Sequence, residues 1–528
     1  MNADAPKQGD NFCGVIVRLA IICIACSVLL GAGVPTAGAQ GVSASAALPN
    51  LGDGSDMTPS AERRLGDRIA RELYRDPDYV DDPVTMEFVQ GIWQPLLAAA
   101  RLRGDLPPEL DAAYAWEILL GRDRTMNAFA LPGAYLGLHL GLVGAVASRD
   151  ELASVLAHEL SHVTQRHVAR MLTRQSGQAP WILGAMILGA LAASKDTNAA
   201  NAMIVGGQAV SAQTQLNFSR DMEREADRMG FGVMTQAGYA PQGFVSMFEK
   251  LQQAARLNDS GSYPYLRSHP LTTERMADMQ ARIPRPEAGA PVAAPEWDQA
   301  MVAARARVLS NSAVDALRTW SVETQATTLA RLAPAQQAGA LYGATLAAIK
   351  LREFAAAQAL WVRLTERTRG DAAAARLARL LGVEMWLAQG DGNRALSLLQ
   401  APAGKPAAPS RAELFLAAQA AVLAKQPAPL SQSTQALQTW VAEHPRDAQA
   451  WQLLASVDTA QGRTLGAIRA QAEVSAAQLD FPAALTRFKV AQDWARKGGA
   501  GSDYIEASIV DTRTRQMESV VREQALER

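Results

Sequence analysis

The sequence predicts a mainly α-helical protein in two parts: an α+β domain with a small sheet, then an all-α solenoid of helical pairs. Three observations carry that expectation. Ala- and Leu-rich tracts place apolar residues at helical spacing along much of the 528 residues. Between about 113 and 142, short aromatic-bearing runs punctuated by Gly and Pro break that pattern. Beyond residue 300, helical segments recur with short breaks at RTRGD, QGDGN, KQPAP, EHPRD and AQGR. This length exceeds one ordinary core, so several domains are expected. A formal net charge of −1 offers no field for nucleic acid.

Residues 1–39 read as a signal peptide. Lys7 and Arg18 precede the apolar run LAIICIACSVLLGAGV (19–34), and Ala37-Gly38-Ala39 supplies a small-x-small pattern with cleavage expected after Ala39. The run is short against the roughly 20 apolar residues of a membrane anchor. An uncleaved anchor is the alternative, and lipidation at Cys26 fits less well because the apolar run continues past it. The mature chain then has no transmembrane segment. Cys13, Cys23 and Cys26 all lie in the removed part, so no thiol or disulfide remains. That suits an oxidising compartment such as the periplasm and excludes a cysteine nucleophile or a Cys-ligated metal.

Residues 40–282 are expected to form the α+β domain. PSAERRLGDRIARELY and PVTMEFVQGIWQPLLAAARL carry helical periodicity, and AYAWEILLG (113–121), MNAFALPG (126–133) and AYLGLHLGL (134–142) suggest strands. Asn127, Ala128, Phe129 and Ala130 could form an edge that takes an extended peptide through main-chain hydrogen bonds, though an ordinary strand fits equally well. Ser148 to Glu151 reads as a capping box opening a helix that reaches about Leu172. The apolar region 180–210, whose longest uninterrupted run (181–193) is too short for a bilayer, reads as a buried or lid-forming hairpin. Another helix starts near Ser219 in SRDMEREADRMGFGVM. IPRPEAGAPVAAP marks a linker over 283–299. In 300–528, AELFLAAQA and AQAWQLLAS begin equivalent helices, with Phe415 and Trp451 thirty-six residues apart, as in tetratricopeptide (TPR) repeats. The consensus match is loose, which leaves another helical-pair solenoid or a plain bundle open.

VLAHELSHVTQRH (155–167) holds three of the six histidines. On a helix, residues four apart lie about 40° apart, so His158 and His162 share a face and can reach one ion, with zinc favoured by neutral imidazole. Glu159 lies about 60° from His162, near enough to approach a metal-held water without being a ligand. A third His ten residues after the first would make a metzincin, but that position is Val168, and Gln165 replaces the required Gly. His167 lies on the far side of a continuous helix from His158, as a surface or outer-sphere residue. A carboxylate on the helix from Ser219 is the remaining source, with Asp221/Glu225 and Glu223/Asp227 on opposite faces and spacing unable to choose between them.

HELSH, the Glu223-Arg-Glu-Ala-Asp227 run with Gly230 behind it, and SHPLTTER (268–275) resemble the peptidase family of HtpX and the type I CAAX prenyl proteases. The signal peptide, NAFALPG, HELSHVTQRH and helical repeats are similar to its periplasmic, repeat-bearing branch. The resemblance is strong over 125–275 and architectural after 300. It implies a zincin-like (gluzincin) metalloprotease domain with one zinc per chain held by His158, His162 and Glu223. Asp227 would orient a ligand and Glu159 would be the catalytic base. His269 would stabilise the oxyanion or occupy a fourth metal position as a gate. The implied function is degradation of misfolded or stalled proteins in outer-membrane β-barrel assembly, with that assembly machinery as partner. The alternative is a chaperone or scaffold acting through the repeats with a normally closed zinc site.

Overall fold

Thr58 and Asp82 open the first two helices, α1 (Pro59–Tyr74) and α2 (Pro83–Arg103). Each accepts a first-turn N–H, and the Pro that follows sits where no donor is needed. β1 (Tyr79–Val80) lies between them, and α3 (Pro108–Ala113) leads to β2 (Glu117–Gly121), β3 (Ala128–Leu131) and β4 (Tyr135–His139). The computed structural model describes residues 57–174, 220–257, 264–283, 296–400, 409–497 and 503–526. The expected signal peptide, the 181–193 segment and most of the linker lie outside these.

The sheet order is β1-β2-β4-β3, with β2 parallel to β4 and the other pairs antiparallel. All three sequence runs contain strands, but AYLGLHLGL is extended only to His139, where α4 (Leu140–Ala145) begins. Among the described residues β3 pairs with β4 alone, so it is an edge. Phe129 faces Gly137 across this pair, and its ring occupies the space a Cβ there would need.

Ser148 opens α5 (Arg149–Thr164) by accepting the Glu151 N–H. The reciprocal half of the expected capping box is not made. Glu151 accepts instead from the Ala147 N–H and Lys250 Nζ. Nor does the helix run on to Leu172. Arg166 takes a left-handed φ of 52° and α6 (His167–Arg174) starts anew. The Arg166 guanidinium is anchored on Glu62 and the Met57 carbonyl, contacts that hold this unfavourable backbone conformation. α7 (Arg220–Gln236), α8 (Gln242–Leu257), α9 (Pro264–Ser268) and α10 (Thr273–Arg282) complete this part. α5 is buried continuously from Glu151 to Val163 and packs against α2, α7, α8 and β3. No described helix is long and apolar enough to cross a membrane.

After the linker, α11 (Trp297–Ser310) packs against α4, and Gln299 Nε2 donates to the Val146 carbonyl. Later helical pairs begin at Pro334, Ala372, Arg411, Ala448 and Phe481, and each helix packs on the next. Phe415 and Trp451 fall in one buried cluster, each ring carrying a guanidinium, Arg411 and Arg469. The main core is continuous across both parts, joining Ile92 and Trp93 to Met301, Tyr342, Leu380 and Leu416.

Arginine–carboxylate pairs close the seam. Arg411 spans Asp81 and Asp447, and Arg446 donates to the Tyr135 hydroxyl. Deepest is Arg305, with Nε 2.7 Å and Nη2 2.6 Å from the Asp82 carboxylate and Nη2 2.8 Å from Glu384. Burial alone would raise the Asp82 carboxyl, but Arg305 and the cap bond to Thr85 hold it below its usual value. Arg305→Met would leave two carboxylates without their counter-charge. The expected cost is about 3–5 kcal/mol, read as a lower urea midpoint at unchanged slope. An unshifted midpoint would show that the pair does not stabilise the seam.

Candidate metal centre

Two helices supply the centre. His158 and His162 point from one face of α5, both fully buried. On α7 the structure makes the choice that spacing left open. The Glu223 and Asp227 side chains are 1% exposed, whereas those of Asp221 and Glu225 are 85% and 37% exposed. Gly230 lies where α7 meets α5: a Cβ there would stand 3.1 Å from the carbonyl of Ala157 and the nitrogen of His158, so the missing side chain favours the close approach of the two backbones. His269 enters just after α9, its N–H bonded to the Tyr265 carbonyl at 2.8 Å.

His158, His162, Glu223 and His269 present ligand atoms all within 4.8 Å of one another. His158 Nε2 lies 3.0 Å from His162 Nε2, 3.3 Å from His269 Nδ1 and 3.5 Å from Glu223 Oε2. Glu223 Oε1 lies 3.4 Å from His162 Nε2 and 3.0 Å from His269 Nδ1. Tetrahedral zinc with bonds of about 2.0–2.1 Å separates its donors by roughly 3.3–3.4 Å, so the set fits. Charge is compatible with this. Glu159, Glu223 and Asp227 are buried with one guanidinium, Arg275, and with the imidazoles in the neutral form that ligates a metal, a divalent cation would balance the two remaining carboxylates. Among the described residues neither Glu159 oxygen accepts a hydrogen bond, and His269 Nε2 lies 3.5 Å from Oε1. A buried carboxylate so placed is costly unless something else sits before it.

An outer ring orients the donors. Asp227 Oδ1 is 3.0 Å from His158 Nδ1, and Arg275 grips Asp227 through Nε (2.6 Å) and Nη2 (2.8 Å). Arg275 Nη1 also reaches Glu223 Oε2 and the Pro270 carbonyl, both at 2.8 Å. Arg275 thus ties the His269 segment to α7. It closes SHPLTTER, yet sequence reasoning gave it no role, because nothing local marks an arginine as buried. His167 is buried, not on the surface, with Nδ1 2.9 Å from His162 Nδ1. The expected opposite-face position assumed one unbroken helix, and the break at Arg166 turns His167 back.

Burial disfavours a proton on His158, but Asp227 and Glu223 hold that imidazole up at about 10. Against its own burial, Glu223 is held well below the usual carboxylate range by His269, His158 and His162. Burial pushes His167 down to about 4. Of the proposed edge residues, Asn127, Ala128 and Ala130 are buried and Phe129 half-buried, on a strand that packs against α5.

Residues 103–283 match the sequence model of peptidase family M48. The chain is 33% identical over 325 residues to a Vibrio cholerae protein provisionally named a β-barrel assembly-enhancing protease, covering 60% of this chain and 63% of that one. It is 32% identical over 241 residues to the β-barrel assembly-enhancing protease of Escherichia coli, 44% of this chain and 47% of the relative. It is 27% identical over 202 residues to the mitochondrial metalloendopeptidase OMA1 of Saccharomyces cerevisiae, 37% of this chain and 55% of the relative. The chain therefore spans about half to two-thirds of the length of these relatives. Similarity and geometry meet on the same stretch: all four clustered donors lie inside the residues that match the peptidase M48 model.

Proposed function

We propose that the protein is a zinc-dependent endopeptidase, with one ion per chain held by His158, His162 and Glu223. The observation that supports this most is the buried Glu159 carboxylate, which accepts no hydrogen bond among the described residues, beside donors at tetrahedral spacing. When bound, zinc supplies Lewis-acid polarisation of the scissile carbonyl and lowers the pKa of a held water to about 7. Glu159 takes the proton of the attacking water and passes it to the leaving amine. Asp227, clamped by Arg275, fixes the His158 ring so that Nε2 faces the ion.

His269 Nδ1 stands at the fourth corner of the donor set. With that corner filled no position remains for water, so turnover requires His269 to withdraw, and the residue acts as a gate. This observation also favours the second reading, a chaperone or scaffold that works through its helical repeats while the zinc site stays closed.

For the finer role, we take the substrates to be unfolded or stalled proteins, chiefly outer-membrane β-barrel proteins in the periplasm, with their assembly machinery as partner. The relatives' names support this, as do the apolar run 19–34 with its Ala37-Gly38-Ala39 site and the stacked helical pairs, an architecture suited to holding proteins. The edge position of β3 supports Asn127 to Ala130 as the strand that pairs with extended substrate.

Glu159→Gln should keep about one zinc per chain and lose cleavage of casein by at least about 10²-fold. Measurable proteolysis by that variant refutes the base assignment. Glu223→Gln should lose most of its zinc on metal analysis, and a full complement removes Glu223 from the ligand set. His269→Ala should raise the rate of casein cleavage. A lower rate returns His269 to the oxyanion role, and an unchanged rate removes it from the site.

A further inference from the structure

We infer that His167 is a positioning residue for the metal centre, linking His162 to Glu225 through a chain of hydrogen bonds that fixes His162 as a ligand. This rests on the zinc reading above and concerns residues outside the proposed ligand set.

A neutral imidazole carries one N–H and one lone pair. If His162 Nε2 gives its lone pair to the ion, the ring proton must sit on Nδ1. That atom is 2.9 Å from His167 Nδ1, which must therefore accept it. His167 then keeps its own proton on Nε2, 3.2 Å from Glu225 Oε2. The same carboxylate oxygen accepts from Arg170 Nη1 at 3.0 Å. One assignment satisfies these three hydrogen bonds, His162–His167, His167–Glu225 and Arg170–Glu225, together. The reversed assignment puts a proton on His162 Nε2 and ends its use as a donor.

The two zinc imidazoles are thus held differently. His158 meets its carboxylate, Asp227, directly at 3.0 Å. His162 meets Glu225 through a second imidazole. The geometry exists because α5 ends at Thr164 and Arg166 turns the chain at φ 52°. On an unbroken helix nine residues would put His167 about 180° from His158. Val168, Met171 and Met222 form an apolar cluster on the neighbouring turns of α6 and α7. Hydrogen bonding from behind orients a ligating imidazole and raises its basicity, and its loss typically costs about 10–100-fold in metal affinity.

The test is zinc affinity of the full chain, measured by competition with a chromogenic chelator. His167→Phe keeps the ring shape and removes both nitrogens, and should weaken zinc binding about 10–100-fold. His167→Asn puts a carbonyl oxygen near the Nδ1 position and should recover most of that loss. Zinc bound by the Phe variant as tightly as by wild type overturns the relay, and so does an Asn variant as weak as Phe. Should the Phe variant fail to fold, Glu225→Ala at the exposed end carries the test, with severalfold weaker zinc expected and unchanged zinc contradicting it. A wild-type chain that takes up no zinc would instead sink the peptidase reading, so the two failures are distinguishable.

Discussion

The close approach of α7 to α5 at Gly230 is the constraint on which the site depends. The two helices lie far apart in sequence, and each alone offers only half a metal site. With a bare Cα against the Ala157 carbonyl, α7 comes near enough for Glu223 and Asp227 to reach His158 and His162. The rest of the fold serves that contact. α5 is buried over most of its length by α2, α7, α8 and β3, so its two imidazoles have little freedom to turn away.

Burying so many polar groups has a physical consequence. Desolvating a carboxylate costs several kcal/mol unless a counter-charge stands beside it. Arg275 offsets one of the three carboxylates, and Glu159 accepts no hydrogen bond among the described residues. The remaining imbalance suits a dication and not a further arginine. The site's geometry and its charge thus both fit the proposed zinc ion. Away from it, the seam between the α+β part and the helical pairs uses the complementary solution, guanidinium groups of Arg305 and Arg411 each shared by two carboxylates.

Much of this was legible in the sequence where the physics is local. His158 and His162 share a face because a helix repeats every 3.6 residues, and the small sheet and the helical pairs announced themselves by their periods. What escaped depends on distant contacts. Spacing could not choose Glu223/Asp227 over Asp221/Glu225, since both pairs are equally helical and only the α5–α7 packing tells them apart. The break that reorients His167 is held by Arg166 reaching Glu62 and Met57, more than a hundred residues earlier. AYLGLHLGL alternates through its whole length, yet its second half becomes α4 against α11. The Arg305 network joins positions 82, 305 and 384, a relation no local pattern encodes.

The proposed centre holds one buried divalent ion through nitrogen and oxygen donors from α5, α7 and the His269 segment. X-ray absorption spectroscopy of the purified zinc-loaded chain tests it most directly. The expected spectrum has four nitrogen or oxygen neighbours at about 2.0–2.1 Å, with outer-shell scattering from three imidazole rings. A spectrum without imidazole scattering, or a chain that retains no zinc after dialysis, would contradict it.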